Sequence, residues 1–238
     1  SDLVDALLWT SFGGLRKGIG FGTVISGATN PSGKTTSTWY YQDSDLPNIF
    51  NYNMYNTNGD NGRTYMYYGA NDKSVNPVSF PFGYGLSYST FEYSNLKVNK
   101  TALNGDDTLT VSFDVKNTSD VDGKEITEFY VATPDAAKEL NRPIKRLEGF
   151  RKIELKAGET KNVTLSVAVA DLAFYNEEAE RFELDQGRYT VMVGSSSADL
   201  PLTKDVTVTG QATAVPAVLT AKPNQTGDAE KRIEQRLI

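Results

Sequence analysis

A strict alternation of apolar and polar residues dominates the chain after residue 90 and limits what it can fold into. Leu109, Val111, Phe113 and Val115 alternate with polar neighbours, the pattern of a strand with one buried face. Similar short runs recur at 91–98, 126–132, 147–155, 163–169, 189–193 and 206–208. About seven short strands in ~120 residues are typical of an immunoglobulin-like or fibronectin-type sandwich. Because the chain has no Cys, an antibody-type domain with its Cys-Trp-Cys spacing is excluded.

Residues 80–88 read FPFGYGLSY, and the character of the sequence differs on their two sides. The run is too apolar for a solvated linker, and its proline and two glycines break regular structure. We call residues 80–88 the strap and predict that they form a packed connection between two domains.

The first 90 residues indicate part of an α/β layered domain. Residues 2–9 are typical of a buried strand, the glycine-rich 12–18 of a turn, and 19–25 of a short helix closed by Gly27. The sequence Asn-Pro-Ser-Gly at 30–33 predicts a turn, followed by a strand at 35–41 that carries Trp39.

Residues 42–72 are polar and rich in Tyr, without a clear period. This composition suits either a sugar-binding surface or a wet protein interface. From residue 210 the sequence resembles a linker and a tail that leads towards a further segment.

Charge and composition exclude several function classes. The formal net charge of −6 argues against nucleic-acid binding, and no apolar run approaches the roughly 20 residues that cross a bilayer. Without any His or Cys, the chain lacks Ser-His or Cys-His nucleophile systems and thiolate metal sites. We expect no cofactor, and chemistry would have to use carboxylates, Tyr, Lys and Arg.

Several motifs in one order resemble the C-terminal half of glycoside hydrolase family 3, the β-glucosidases and β-xylosidases. They are NPSGK at 30–34, GRTY at 62–65, the strap, PIKRLEGF at 143–150, KAGET at 156–160 and GRYTVMVG at 187–194. The resemblance covers about residues 3–209. It implies a partial α/β sandwich (1–90), a fibronectin type III-like domain (91–209) and a tail (210–238).

The resemblance also implies an exo-acting β-glycosidase, most simply a β-glucosidase, that works with retention of configuration. In enzymes of the family, the nucleophilic Asp and the acid/base Glu lie before the region that this chain resembles from residue 2 onward. We therefore assign no catalytic residue here. This region would buttress the catalytic domain. A β-xylosidase of the same family is one alternative; a non-catalytic fibronectin-like module that binds carbohydrate or protein is another.

Four residues are candidates for the rim of a sugar pocket: Arg16, Lys17, Arg63 and Tyr65. Purely structural roles, such as an Arg that clamps carbonyl groups or a Tyr that packs on the strap, remain open for them. The glutamates of the second domain are interpreted as solvated or ion-paired surface acids, namely Glu125, Glu128, Glu148, Glu154, Glu177, Glu178 and Glu183.

The expected partners are the remainder of the same enzyme, either within one polypeptide or as a separate chain, and a β-linked glycoside. We expect no nucleic acid and no membrane, and a homodimer stays open. An extracellular or periplasmic location is expected. Without the flanking part of the α/β domain, residues 1–90 should expose a large apolar patch and be protease-labile.

Overall fold

The structure is a computed structural model that describes residues 4–10, 12–46, 48–52, 78–134, 143–176 and 179–212. It contains one α-helix, α1 (Lys17–Ile25), two short 3-10 helices (Asp43–Asp45 and Val169–Leu172) and twelve strands in these residues. The strands are β1 (Trp39–Tyr40), β2 (Val78–Phe80), β3 (Phe91–Val98), β4 (Ala102–Asn104), β5 (Thr108–Asn117), β6 (Gly123–Ala132), β7 (Lys145–Leu155), β8 (Thr160–Ala168), β9 (Phe174–Asn176), β10 (Arg181–Glu183), β11 (Gly187–Gly194) and β12 (Leu202–Thr209).

Two sheets form a sandwich from residue 91 onward. One sheet has five strands in the order β4-β12-β11-β6-β7, and the other has three in the order β3-β5-β8. Their pairs are antiparallel except for β12 with β4, which is parallel. The predicted mixed fold class, a partial α/β sandwich followed by an all-β fibronectin III/immunoglobulin-like sandwich, is confirmed.

The alternation that predicted the strands also builds the core. Leu109, Val111, Phe113 and Val115 of β5 are fully buried and join Phe129, Val163 and Val191 in one hydrophobic cluster. Each such side chain contributes about 1.5–3 kcal/mol when it leaves water. The seven predicted strands are present. Four short strands, β2, β4, β9 and β10, were not predicted, because three residues are too few to display a period.

The region before the strap contains little regular secondary structure in its described residues. As predicted, α1 is followed by a glycine in the left-handed conformation, Gly27, with φ 76°. The β1 strand pairs with β2 and carries Trp39, whose ring makes edge contacts with Trp9 and Phe80 at centroid distances of 5.2 and 5.8 Å. These rings connect residues 4–10 to the strap.

Two local predictions for this region are wrong, and the strand predicted at 35–41 forms only at Trp39–Tyr40. Residues 4–9 form no strand and are exposed, because no strand in the described residues pairs with them. Residues 30–35 form no turn, and Pro31 disfavours a helical conformation for the residue before it. We call residues 30–35 the junction segment. Within the tyrosine-rich stretch, residues 53–72 lie outside the described residues, as does the tail from residue 213.

Candidate functional site

The strap and the junction segment run beside each other and are joined through their backbones. Gly83 donates a hydrogen bond of 2.9 Å to the carbonyl of Thr35, and Thr35 donates one of 2.8 Å to the carbonyl of Tyr84. The hydroxyl of Thr35 donates to the carbonyl of Pro81 at 2.6 Å. The segment that was predicted to turn away therefore pairs with the strap.

Asn30 fixes the strap to the sandwich with both ends of its amide. Its Nδ2 donates to Ser89 Oγ at 2.8 Å and to the carbonyl of Asp122 at 3.0 Å. Its Oδ1 accepts from Ser87 Oγ at 2.8 Å and from the backbone N–H of Tyr88 at 2.9 Å. These four bonds use the full donor and acceptor capacity of an Asn side chain, so no other residue type fits equally well.

We expect Asn30→Ala to lower the free energy of unfolding by about 2 kcal/mol, since each lost hydrogen bond contributes roughly 0.5–1.5 kcal/mol and several partners lose their bond together. Urea unfolding measures the change. Asn99→Ala is the control, because Asn99 makes two hydrogen bonds within the sandwich, to Thr108 and from Thr110. A loss at Asn30 no larger than that at Asn99 would contradict this role.

A buried ion pair joins the junction segment to β6. Lys34 Nζ lies 3.0 Å from Glu125 Oε1, and the two side chains are 11% and 5% exposed. Glu125 also accepts a hydrogen bond of 3.1 Å from the hydroxyl of Tyr93, and Lys34 Nζ reaches the carbonyl of Gly85 at 3.4 Å. Burial raises the pKa of Glu125, and the charge of Lys34 opposes that rise. Burial also raises the pKa of Tyr93.

Glu128 is the second buried acid of β6, and the strap covers it. It is 3% exposed and accepts a hydrogen bond of 2.6 Å from the hydroxyl of Tyr130. A Cβ atom at Gly83 would lie 2.3 and 2.6 Å from its two carboxylate oxygens, so the carboxylate rests directly on the glycine. Burial raises the pKa of Glu128 to about 7.

Glu148 is a third buried acid, located at a bulge in β7. Phe129 and Tyr130 pair with Gly149 and Leu147, which leaves Glu148 without a cross-strand partner. Its side chain is 7% exposed and its Oε1 lies 3.4 Å from Nε of Arg146. Burial raises its pKa to about 7.

The interpretation of the glutamates as surface acids is therefore wrong for Glu125, Glu128 and Glu148, which are buried. It holds for Glu154, which is exposed near Lys124, and in part for Glu183, which pairs with Arg181. Glu177 and Glu178 lie outside the described residues. In β6, alternation places Glu125 on the same side as the core residues Phe129 and Val131, and this signal could have revealed it.

Of the four predicted pocket-rim residues, the structure describes Arg16 and Lys17, and neither is part of this junction. Arg16 immediately precedes α1 and Lys17 is its first residue, and both are exposed. The carbonyl of Arg16 accepts hydrogen bonds from the N–H groups of Ile19 and Gly20. Arg63 and Tyr65 lie outside the described residues. A place at the rim of a sugar pocket stays a prediction for all four.

The most exposed apolar surface lies before the strap. In α1 no residue is buried. Side chains at least 39% exposed include Val4, Leu7, Leu8, Trp9, Phe12, Leu15, Ile19, Phe21, Ile25, Tyr41, Leu46, Ile49, Phe50 and Tyr52. We call these residues the apolar face. So many large apolar side chains in one region are typical of a surface that another protein part covers.

Two findings bear on other kinds of site. In the part of the chain that the structure describes, no group of three or more His, Cys, Asp or Glu side chains is placed to hold a metal ion. Among the same residues, no helix has the length and apolar character needed to span a membrane.

Comparison with known proteins assigns both parts of the chain. Residues 1–88 match the glycosyl hydrolase family 3 C-terminal domain, and residues 125–197 match the fibronectin type III-like domain. The thermostable β-glucosidase B of Acetivibrio thermocellus is 34% identical over 216 residues, which cover 87% of this chain and 27% of the relative. A putative β-xylosidase of Formosa agariphila is 38% identical over 176 residues, or 74% of this chain and 22% of the relative.

A solved structure agrees with these matches. The family 3 β-glucosidase of Bifidobacterium adolescentis superposes with a TM-score of 0.67 and 36% identity, over 80% of this chain and 28% of that one. The chain thus spans about a quarter of the length of the proteins it matches. With both domain matches in the order that the motifs predicted, the chain belongs to glycosyl hydrolase family 3, as its C-terminal region.

Proposed function

We propose that this chain is the C-terminal region of an exo-acting β-glucosidase that removes terminal β-linked glucose with retention of configuration. The region buttresses the catalytic part and shapes the outer wall of its pocket. Arg16, Lys17, Arg63 and Tyr65 are the residues we place at the rim. The enzyme would work in an extracellular or periplasmic compartment.

The apolar face is the observation that carries this proposal. A soluble protein does not leave that many large apolar side chains in water without a partner. The relatives that match this chain are about four times longer, and the remainder of the same enzyme is the natural cover for the face. In this arrangement the strap links a docked α/β part to the sandwich.

Retaining hydrolysis needs two carboxyl groups about 5 Å apart on either side of the glycosidic bond. The acids Glu125 and Glu128 do not suit that role, because both are buried beneath the strap and the junction segment, where a sugar has no access. We therefore place the catalytic Asp and Glu in the remainder of the enzyme.

A β-xylosidase is the second candidate. The Formosa agariphila relative named a putative β-xylosidase is 38% identical to this chain, against 34% for the Acetivibrio thermocellus β-glucosidase. The substrate pocket would be lined mostly by the remainder of the enzyme, so the choice between glucose and xylose falls there.

We expect the 238-residue chain alone to release no nitrophenol from nitrophenyl β-glucoside or β-xyloside above a blank reaction. Among the described residues, Glu125 and Glu128 are sealed beneath the strap and the junction segment, and Glu148 is buried in β7 beside Arg146. Neither arrangement is an accessible catalytic pair. Continuous absorbance at pH 5 and 7 measures the rate. Turnover that disappears in a Glu125→Gln or Glu128→Gln variant would contradict the placement of catalysis outside this chain.

A chimera tests the buttressing role directly. The corresponding region of the Acetivibrio thermocellus β-glucosidase B is replaced by this chain, and its nitrophenyl β-glucoside turnover is compared with the parent and with the parent lacking the region. We expect the chimera to keep activity and the truncated parent to lose it. If the truncated parent were as active as the intact parent, the region would not be needed to support the catalytic part.

A further inference from the structure

We propose that Glu128 makes the docking of the strap on the sandwich sensitive to pH, with the strap held most tightly when this side chain is protonated. The junction would then loosen as the pH rises from acidic to neutral. This inference goes beyond the proposed glycosidase function, because it concerns how the two parts of the chain are held together.

The geometry places Glu128 under a lid made of two segments. Gly83 of the strap lies on its carboxylate. Residue Gly194 of β11 pairs with Glu128, and a Cβ atom there would lie 1.9 Å from the carbonyl oxygen of Asp199, so the 195–199 loop crosses over this point. Ser197 of that loop donates a hydrogen bond of 2.9 Å to the carbonyl of Phe82. The strap and the loop thus hold each other over the acid.

The charged groups around Glu128 do not compensate a second buried anion. On β6 itself it faces Glu125 and the hydroxyl of Tyr130; from the junction segment it faces Lys34, and from β7 Lys145. Lys34 is engaged by Glu125 at 3.0 Å. Lys145 Nζ lies 5.6 Å from the centre of the Tyr130 ring and donates to the carbonyl of Ser197. On the strap, the residue in contact is an uncharged glycine.

Tyr93 and Asp199 lie near these charged groups. Tyr93 of β3 donates to Glu125, and Asp199 of the loop adds negative charge near Tyr93. Neither brings a positive charge. Among the described residues, an ionised Glu128 therefore has one hydroxyl hydrogen bond and the partial influence of two lysines that also bind other groups. This is poor compensation for a carboxylate taken out of water.

The direction of the pH effect follows from proton binding. In the docked state the pKa of Glu128 is about 7, against 4.5 for a solvated Glu. Between these two values the docked state binds more protons than an open state in which the acid meets water. Rising pH therefore favours opening, by up to about tenfold per pH unit within this window, and the effect levels off above pH 7.

Amide hydrogen exchange on the 238-residue chain tests this inference. The reporters are the N–H groups donated across the junction, those of Gly83, Tyr84 and Ser197, with buried Val111 of β5 as the reference for the sandwich. Exchange rates are corrected for the intrinsic pH dependence of exchange. From pH 5 to pH 7 we expect the opening constant of the reporters to rise at least tenfold, while Val111 rises less.

Two variants make the result specific. Glu128→Gln keeps the shape and the hydrogen bond from Tyr130 but cannot ionise, so its reporters should lose the rise. Glu154→Gln removes an exposed acid from the neighbouring β7 and should behave as the parent. The ¹³C resonance of the Glu128 carboxyl should titrate near pH 7. A rise that persists in Glu128→Gln, a parallel rise at Val111, or a titration below pH 5 would each overturn the inference.

Discussion

Replacing Lys34 by methionine is expected to lower the free energy of unfolding by about 3–5 kcal/mol at pH 7, the cost of leaving a buried charge without its partner. Methionine keeps most of the volume of the lysine stem, so the loss reflects the charge. Glu125 would remain as an anion that is only 4% exposed. Of its two side-chain partners it would keep only the hydroxyl of Tyr93. Urea unfolding at pH 7 measures the change.

The double variant Lys34→Met/Glu125→Gln separates charge from packing. Removing both charges should restore most of the lost stability, because a neutral amide tolerates the same burial. The cost of Lys34→Met should also shrink as the pH falls, because burial raises the pKa of Glu125 and the loss of Lys34 removes the charge that opposes this rise. Lys156→Met is the surface control: its ion pair with Asp122 is 2.7 Å long but exposed, so little change is expected. Equal losses at Lys34 and Lys156 would contradict a buried ion pair.

The second large effect is expected from Gly85→Ala, which should cost about 3 kcal/mol or more. A Cβ atom at position 85 would lie 2.1 Å from the carbonyl oxygen of Gly33. Backbone cannot swing away as a side chain can, so the strap and the junction segment must separate, which strains or breaks the hydrogen bonds between them. Thermal unfolding, together with proteolysis in the strap, measures the loss.

Gly33→Ala is the matched control for this prediction. It changes the glycine on the other side of the same contact, but a Cβ atom there would meet nothing within 4 Å. We expect its stability to stay near that of the parent. If the two alanine variants unfold alike, the close approach of strap and junction segment is not what determines stability here.

The sandwich was predictable from sequence because its signal is local. In both β5 and β8, apolar residues recur at every second position. Several turns of the sandwich contain Gly or Asn. An equally local signal, apolar residues on one helical face followed by a glycine, predicted α1 and its end at Gly27. Such local signals failed at residues 4–9, where the apolar run has no pairing strand among the described residues. They also failed at β2, β4, β9 and β10, which are too short to show a period.

The junction was only partly predictable, for the opposite reason. The strap was expected to be a packed connection, but nothing in its own sequence names what it packs on. Asn30 and Lys34 stood in a recognised motif, yet their partners lie at residues 87–89, in the turn before β6 and in β6 itself. A long-range pair such as Lys34 and Glu125 leaves no trace in the spacing of either segment. The only sequence signal was Glu125, an acid on the apolar side of β6, which indicated that another segment must supply a cation.

The side chain of Asn30 has a consequence for how the chain is made. One of its partners, the carbonyl of Asp122, comes 92 residues later in sequence. At a synthesis rate of roughly 5–20 residues per second, that partner is added about 5–18 s after Asn30 itself. Throughout this interval the amide of Asn30 lacks its partner in the sandwich. The chain must therefore be made at least as far as the turn before β6 before the junction can close.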